Sequence, residues 1–256
     1  MKYSLAIESS TATPSVALLG DNELCGEVSW QVSRGASERL LSAIDGLLAE
    51  NEIKLADINL FGIGLGPGNF TGLRTSLSAI QALALPTHTD IIGISSAEAT
   101  VFNFQLSEFR TQNSEHKSSA TINTSPPQAS PIPRILTVGD ARRRRLWLGI
   151  FEPKQDALQR SGEFELVQID DFAAEIKPDD IIITPDIETL ETELLAIVPA
   201  TATLIKSAQI PTAAAIGHLA NQRSINNTPG EPLKPIYMHP PVFIEPRFTE
   251  ATKRKF

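Results

Sequence analysis

The chain has 256 residues, a formal net charge of −8, 41% hydrophobic and 20% charged content, and one cysteine, Cys25. Its length supports one large or two modest domains with a real core, and the acidic balance excludes a protein whose whole surface grips nucleic acid, leaving that task to local basic patches. The lone cysteine excludes a disulfide framework or a cysteine-rich zinc site, and no apolar run reaches the roughly 18 residues of a membrane span.

The N-terminus enters a strand pattern at once, without the layout of a leader, which points to the cytoplasm. Residues 3–8 and 15–19 read as strands joined by the polar turn Ser9-Ser10-Thr11-Ala12-Thr13-Pro14. Residues 23–30 read as a third strand, in which Cys25 is expected to pack. Residues 36–51 read as a helix, because Leu40, Leu41, Ile44, Leu47 and Leu48 form an apolar stripe. A buried strand over 57–64, a helix over 71–85 ended by Pro86, a strand over 90–94 and a helix over 97–106 follow. Three meandering strands followed by an α-β-α-β run is a ribonuclease-H-like pattern, the half-unit of the sugar kinase, Hsp70 and actin superfamily. The expected fold is therefore α/β, with two related subdomains, the first spanning 1–106.

Between the strand at 57–64 and the helix at 71–85 lies GLGPGNFTGLR, starting at Gly64. It lacks the Gly-Lys-Ser/Thr of a Walker A loop. Gly66, Gly68 and Gly72 are spaced one residue too widely for the dinucleotide fingerprint, and no acidic residue stands about 20 positions on. Backbone N–H groups and a helix start make such a turn hospitable to an anion, which marks Gly66, Gly68 and Asn69 as candidates. Equally, the glycines supply positive φ and close approach of helix to sheet. The sequence leaves both readings open.

Residues 107–133 are dominated by Ser, Thr, Asn, Gln and Pro, and read as an exposed loop or linker. The second subdomain, 134–256, looks like a less complete copy of the first. Strands over 134–141 and 146–151 are expected to pair antiparallel. A strand over 163–169, a short helix over 171–176, a strand over 180–184, a helix over 187–197, a strand over 202–207 and a helix over 212–223 come next. That last helix is expected to pack back on the first subdomain. A proline-punctuated tail ends the chain.

The superfamily pattern implies ATP between the two halves. Its first phosphate loop would be Glu8, Ser9, Ser10 and Thr11, with Glu8 holding Mg²⁺ through water. The same residues are ordinary turn formers. The second half carries no paired glycines for the adenosine; where they would stand, after Thr184, the chain reads Pro185-Asp186-Ile187-Glu188. His88, His116, His218 and His239 have no shared helical spacing, so no metal is expected, and no G-x-S-x-G turn exists. The pairs Asp170-Asp171 and Asp179-Asp180 read as caps and solvated turns. Arg142, Arg143, Arg144 and Arg145 are the concentrated basic feature, suited to an RNA backbone or simply to a charged hairpin turn. As a strand they would alternate sides. Lys253-Arg254-Lys255 adds a basic tail.

GPGNFTGLR closely resembles the GPGSFTG(L/V)R signature of the bacterial TsaB (YeaZ) family, with Asn69 in place of the usual serine. Residues 3–19 resemble that family's opening hairpin, GDARRRRLWLGIF its DAR-containing strand pair, and PLKPIYMHPP its P-x-Y-L-R tail. Ala36-Ser37-Glu38 departs from the His-Ser-Glu of many members, and 107–133 has no counterpart. The resemblance implies a non-catalytic role in making N6-threonylcarbamoyladenosine at position 37 of tRNA. TsaD would be the catalytic partner and TsaE a further one, with tRNA met only within the complex. It also implies docking by two N-terminal helices, here through Leu40, Ile44, Leu47, Gly72, Ser76, Ala79 and Leu83, and self-pairing when TsaD is absent. No cofactor is required on this reading; weak ATP or ADP with Mg²⁺ at a complex interface stays open. A phosphotransferase of the sugar-kinase superfamily and a metallopeptidase of the glycoprotease (M22) type are the alternatives.

Overall fold

The computed structural model describes residues 1–32, 39–116, 132–154 and 157–238, and for 109–116 the backbone alone. Ala36-Ser37-Glu38, most of the polar segment (117–131), His239 and the basic tail Lys253-Arg254-Lys255 lie outside the described residues.

Two sheets stack with helices between and outside them. The first contains β1 (Tyr3–Glu8), β2 (Ser15–Gly20), β3 (Glu23–Ser29), β4 (Ile58–Gly64) and β5 (Asp90–Ile94), in the order β3-β2-β1-β4-β5. β1, β2 and β3 meander antiparallel, while β4 and β5 join parallel to β1. This is the ribonuclease-H-like order read from the sequence. β1 and β2 are almost wholly buried because helices cover both faces. On one face lie α1 (Arg39–Glu50) and α2 (Phe70–Ala84), whose Leu40, Ile44, Leu47, Leu77 and Ile80 pack against Leu5, Ile7, Phe61 and Ile63. On the other lies the last helix, α5 (Ala213–Ile225), with Ala213, Ala215, Ile216 and Ala220 against Ala6, Ala17 and Leu19. Small residues let it sit close: a side chain at Gly217 would run into Leu19.

The second sheet contains β6 (Ile135–Asp140), β7 (Arg145–Lys154), β8 (Ala157–Arg160), β9 (Glu165–Gln168), β10 (Ile181–Ile183) and β11 (Thr203–Leu204). Its order is β11-β10-β6-β7-β8, with β9 also paired to β7. α4 (Ile187–Ile197) and a 3₁₀ turn (Ile169–Glu175) cover one face. The other face rests on α3 (Ser96–His116), through Ala97, Val101 and Phe104 against Ile135, Trp147, Phe151 and Ile183. Ala99 of the same helix packs with α5. α3 is thus shared by both cores.

Four expectations need correction. α3 runs past residue 106 into the segment read as linker, because a nucleated helix extends at little cost per added residue. β8 was not expected; Ala-Leu-Gln-Arg is a short edge strand without apolar alternation. Asp180 neither caps nor solvates: it is buried and bonded to Arg134 at 2.5 and 2.8 Å, tying the starts of β6 and β10 together. That hydrogen bonding also raises the pKa of Arg134. Cys25 is exposed on the outer strand β3 rather than packed. No described helix is long and apolar enough to cross a membrane.

Candidate functional site

A cleft of about 1050 Å³ opens where the two sheets meet. The first half contributes Ser10 and Thr11 from the β1–β2 turn, Pro67, Gly68 and Asn69 from the glycine turn, and Phe70 and Arg74 from α2. Opposite stand Asp140, Ala141 and Arg142 from the β6–β7 turn, Trp147, and Pro185 and Asp186 ahead of α4. The tail crosses between them. Ile236 donates its N–H to the Leu65 carbonyl at 2.8 Å, and Met238 packs with the second sheet's cluster. Tyr237 accepts a hydrogen bond from Arg74 Nε at 2.8 Å and lies 5.1 Å from the Phe70 ring. The Arg74 guanidinium sits 4.0 Å over Phe70, a cation–π contact.

The glycine turn is not an open anion cradle. Asn69 donates its N–H to the Ser10 carbonyl at 2.7 Å, and Gly66 donates its own to Ser96 Oγ at 2.9 Å. The Asn69 side chain caps α2, accepting from Thr71 N at 3.2 Å and Gly72 N at 3.4 Å. Gly66 and Gly68 hold φ of 88° and 154°. A Cβ at Gly68 would collide with the Ser10 carbonyl oxygen, and one at Gly72 with that of Ser9. The glycines therefore exist to admit the β1–β2 turn, and the chain's own carbonyls take the place a phosphate would need.

Glu8 is equally committed. It is fully buried and accepts from Ser10 N at 2.5 Å and Ser96 Oγ at 2.8 Å. Burial pushes its carboxyl pKa up, against the lowering effect of these hydrogen bonds. A side chain at Gly64 would overlap it. Ser9 and Ser10 are buried too, and only Thr11 is part-exposed. Across the cleft, Asp186 accepts from Asp140 N at 2.8 Å, and burial raises its pKa as well. A nucleotide phosphate with Mg²⁺ fits this donor set poorly: Glu8 is buried and bonded, the N–H groups of Gly66 and Asn69 are used, and Asp140 and Asp186 line the facing wall beside Arg142. Among the described residues no three His, Cys, Asp or Glu cluster as metal ligands.

The docking stripe expected from α1 and α2 faces inward. Leu40, Ile44 and Leu47 are core residues, and Ala79 and Leu83 pack half-buried against the same cluster. Ser76 is buried, 2.6 Å from Ser9 Oγ and bonded to the Gly72 carbonyl at 3.0 Å. Its hydroxyl is satisfied by its own helix, so a small polar residue at the core face costs little. Gly72 lies half-buried under Ser9. The outward faces instead show Leu41 (53% exposed) and Gly46 on α1, and Ser78, Ala82 and then Leu85 (71% exposed) along α2 and its cap.

The arginine run also departs from the alternating-strand expectation. Arg142, Arg143 and Arg144 have φ of 68°, 55° and 55°, so they form a left-handed turn and only Arg145 begins β7. Non-glycine residues in that region cost roughly 1–2 kcal/mol each. Arg142 pairs with Asp140 at 3.4 Å and Arg144 with Asp170 at 2.7 Å, all but Asp140 well exposed. Arg143 is exposed, with no acidic partner among the described residues.

Residues 26–113 match the family model described as "TsaD: tRNA N6-adenosine threonylcarbamoyltransferase". The tRNA threonylcarbamoyladenosine biosynthesis protein TsaB of Escherichia coli is 36% identical over 97 residues, 36% of this chain and 39% of that protein. The TsaB of Bacillus subtilis is 23% identical over 176 residues, 69% of this chain and 66% of that one. Neither alignment reaches two thirds of the relative's length. Among solved structures, YeaZ from Pseudomonas aeruginosa superposes with a TM-score of 0.70 at 20% identity, over 93% of this chain and 100% of that one. Signature turn and relatives agree: over these stretches the chain is similar to the TsaB/YeaZ proteins, and it shares their fold.

Proposed function

We propose that this chain is a non-catalytic partner of TsaD in forming N6-threonylcarbamoyladenosine at position 37 of tRNA, with TsaE a further partner and no nucleotide cofactor of its own. One observation carries the non-catalytic half of this reading. The residues that a phosphotransferase would turn toward phosphate, Glu8, Ser10, Gly68 and Asn69, hold the two turns together instead. The outward faces of α1 and α2 are the proposed docking surface for TsaD, and for a second copy when TsaD is absent. Leu41 is half-exposed on α1, and Gly46 leaves open space where a Cβ would stand, so a partner helix can approach closely there.

The test is co-expression with the TsaD of the same organism, followed by mass spectrometry of tRNA nucleosides. TsaD is expected to co-purify, and modification to fall when this chain is withdrawn. Leu41→Glu is expected to leave the chain folded and lower TsaD recovery about tenfold, since a charge is costly to desolvate in a helix contact. ATP turnover or tRNA modification by the chain alone would instead favour an enzyme.

A further inference from the structure

We propose that the turn formed by Arg142, Arg143 and Arg144 is a contact for the phosphate backbone of a single-stranded RNA segment at the mouth of the cleft. The inference rests on the reading that this chain works on tRNA within a complex, and deepens it by naming the surface. A hairpin turn with positive φ is built most readily from Asn and Gly, so arginine there serves something other than the turn. The guanidinium groups of Arg142 and Arg144 diverge. Arg142 lines the cleft beside Asp140, Arg144 reaches Asp170 in the 3₁₀ turn after β9, and Arg143, between them in sequence, is exposed. A site for one small anion needs donors that converge; donors that fan out suit charges spaced along a chain. The two ion pairs are exposed, and exposed pairs exchange readily for a phosphate. The concentration of positive charge stands out on a chain of net charge −8.

The facing wall favours RNA over an acidic peptide. Phe70 is 50% exposed and Tyr237 43% exposed, with Arg74 between them, and all three line the same cleft as Arg142. Aromatic faces beside guanidinium groups stack unpaired bases, while the divergent arginines take the backbone.

The experiment is fluorescence anisotropy with labelled tRNA across a salt series, on the full chain in complex with TsaD. The variant combines Arg142→Asn, Arg143→Gly and Arg144→Asn, residues at home in a positive-φ turn. A single Arg143→Gly variant provides the smaller step. The triple variant is expected to bind about tenfold more weakly at 0.1 M salt or lower, with a log–log salt slope shallower by about 2. The single variant should lose about threefold, with TsaD recovery unchanged in both. Unchanged tRNA affinity and slope in a triple variant that still recovers TsaD would overturn the inference and leave the proposed function standing. A wild-type chain that recovers no TsaD would overturn the proposed function itself, and the inference with it. Displacement of tRNA by millimolar inorganic phosphate, or equal binding of polyglutamate, would assign the turn to small anions or acidic protein and also overturn it.

Discussion

Two turns face each other across the cleft, and they use positive φ in opposite ways. The Gly66–Asn69 turn places glycines where the backbone curls, then fills the space with the Ser9 and Ser10 carbonyls. It is tightly packed and almost free of strain. The Arg142–Arg144 turn places bulky residues at positive φ and leaves them in water. It packs against little and stores strain. A glycine-rich turn ahead of a helix invites a small-anion reading, and a charged hairpin tip invites either an RNA backbone or plain solvation. Here the glycines serve packing, and the conformational cost sits on the arginines. Three successive strained, exposed arginines are what the proposed RNA contact rests on.

The sharpest break of this contrast is Gly72→Ala. Gly72 is helical, so alanine adds no dihedral penalty; only the Cβ meeting the Ser9 carbonyl matters. A loss of about 3 kcal/mol is expected, a fall in melting temperature of about 6–12 °C for a chain of this size. Thermal unfolding measures it. A neutral result would mean that the β1–β2 turn is free to withdraw, and that the glycine turn can open to a ligand after all. Tyr237→Ala comes next, at about 1–2 kcal/mol, because the tail loses both its ring contact with Phe70 and its hydrogen bond from Arg74. Tyr237→Phe should keep most of that stability. If both variants behave alike, the hydroxyl rather than the ring ties the tail to the glycine-turn wall.

Much of this was legible in residue order. The meander, the strand at Ile58–Gly64 and both N-terminal helices follow from apolar periodicity, and the antiparallel β6–β7 pair follows from two apolar runs around a charged tip. What the sequence could not show was which polar groups the fold would consume. Ser76 reads as a surface residue until its hydroxyl is seen bonded to the Gly72 carbonyl and set beside Ser9, 67 positions away. Glu8 reads as a metal ligand until Ser96, 88 positions on, is seen to donate to it. Such partners are distant in sequence, and no local pattern reports them. The positive φ of the arginines had no local signal either, since nothing in four successive arginines requires a left-handed turn.

Glu8→Gln probes the buried side of the contrast through pH. Burial raises the carboxyl pKa above its ordinary value of 4.5, so the native state favours the protonated acid. The stabilisation from that proton is fully present below pH 4.5 and is lost as pH rises through the raised native value. Glutamine stays neutral throughout. The stability of the variant relative to wild type is therefore expected to rise with pH above 4.5, as measured by urea denaturation at several pH values. A flat difference would mean that Glu8 keeps its charge, with the Ser10 and Ser96 donors outweighing its desolvation.

Arg143→Gly carries the smallest expected effect and the opposite sign to Gly72→Ala. Relief of one left-handed residue is worth roughly 1–2 kcal/mol. Glycine's greater freedom in the unfolded chain takes back about 0.5–1 kcal/mol. Arg143 is exposed and has no acidic partner among the described residues, so little else is lost. The net expectation is stabilisation by about 0.5–1 kcal/mol, read as a higher urea midpoint at unchanged slope. Arg143→Asn should gain about as much, since asparagine tolerates this region while keeping a side chain. If both variants were destabilised, the arginine side chain would be holding the turn, and the strain would have a structural purpose. If both are stabilised, the protein carries a residue that weakens its own fold next to Arg142, which lines the cleft, and that is the pattern expected where a side chain is kept for what it binds.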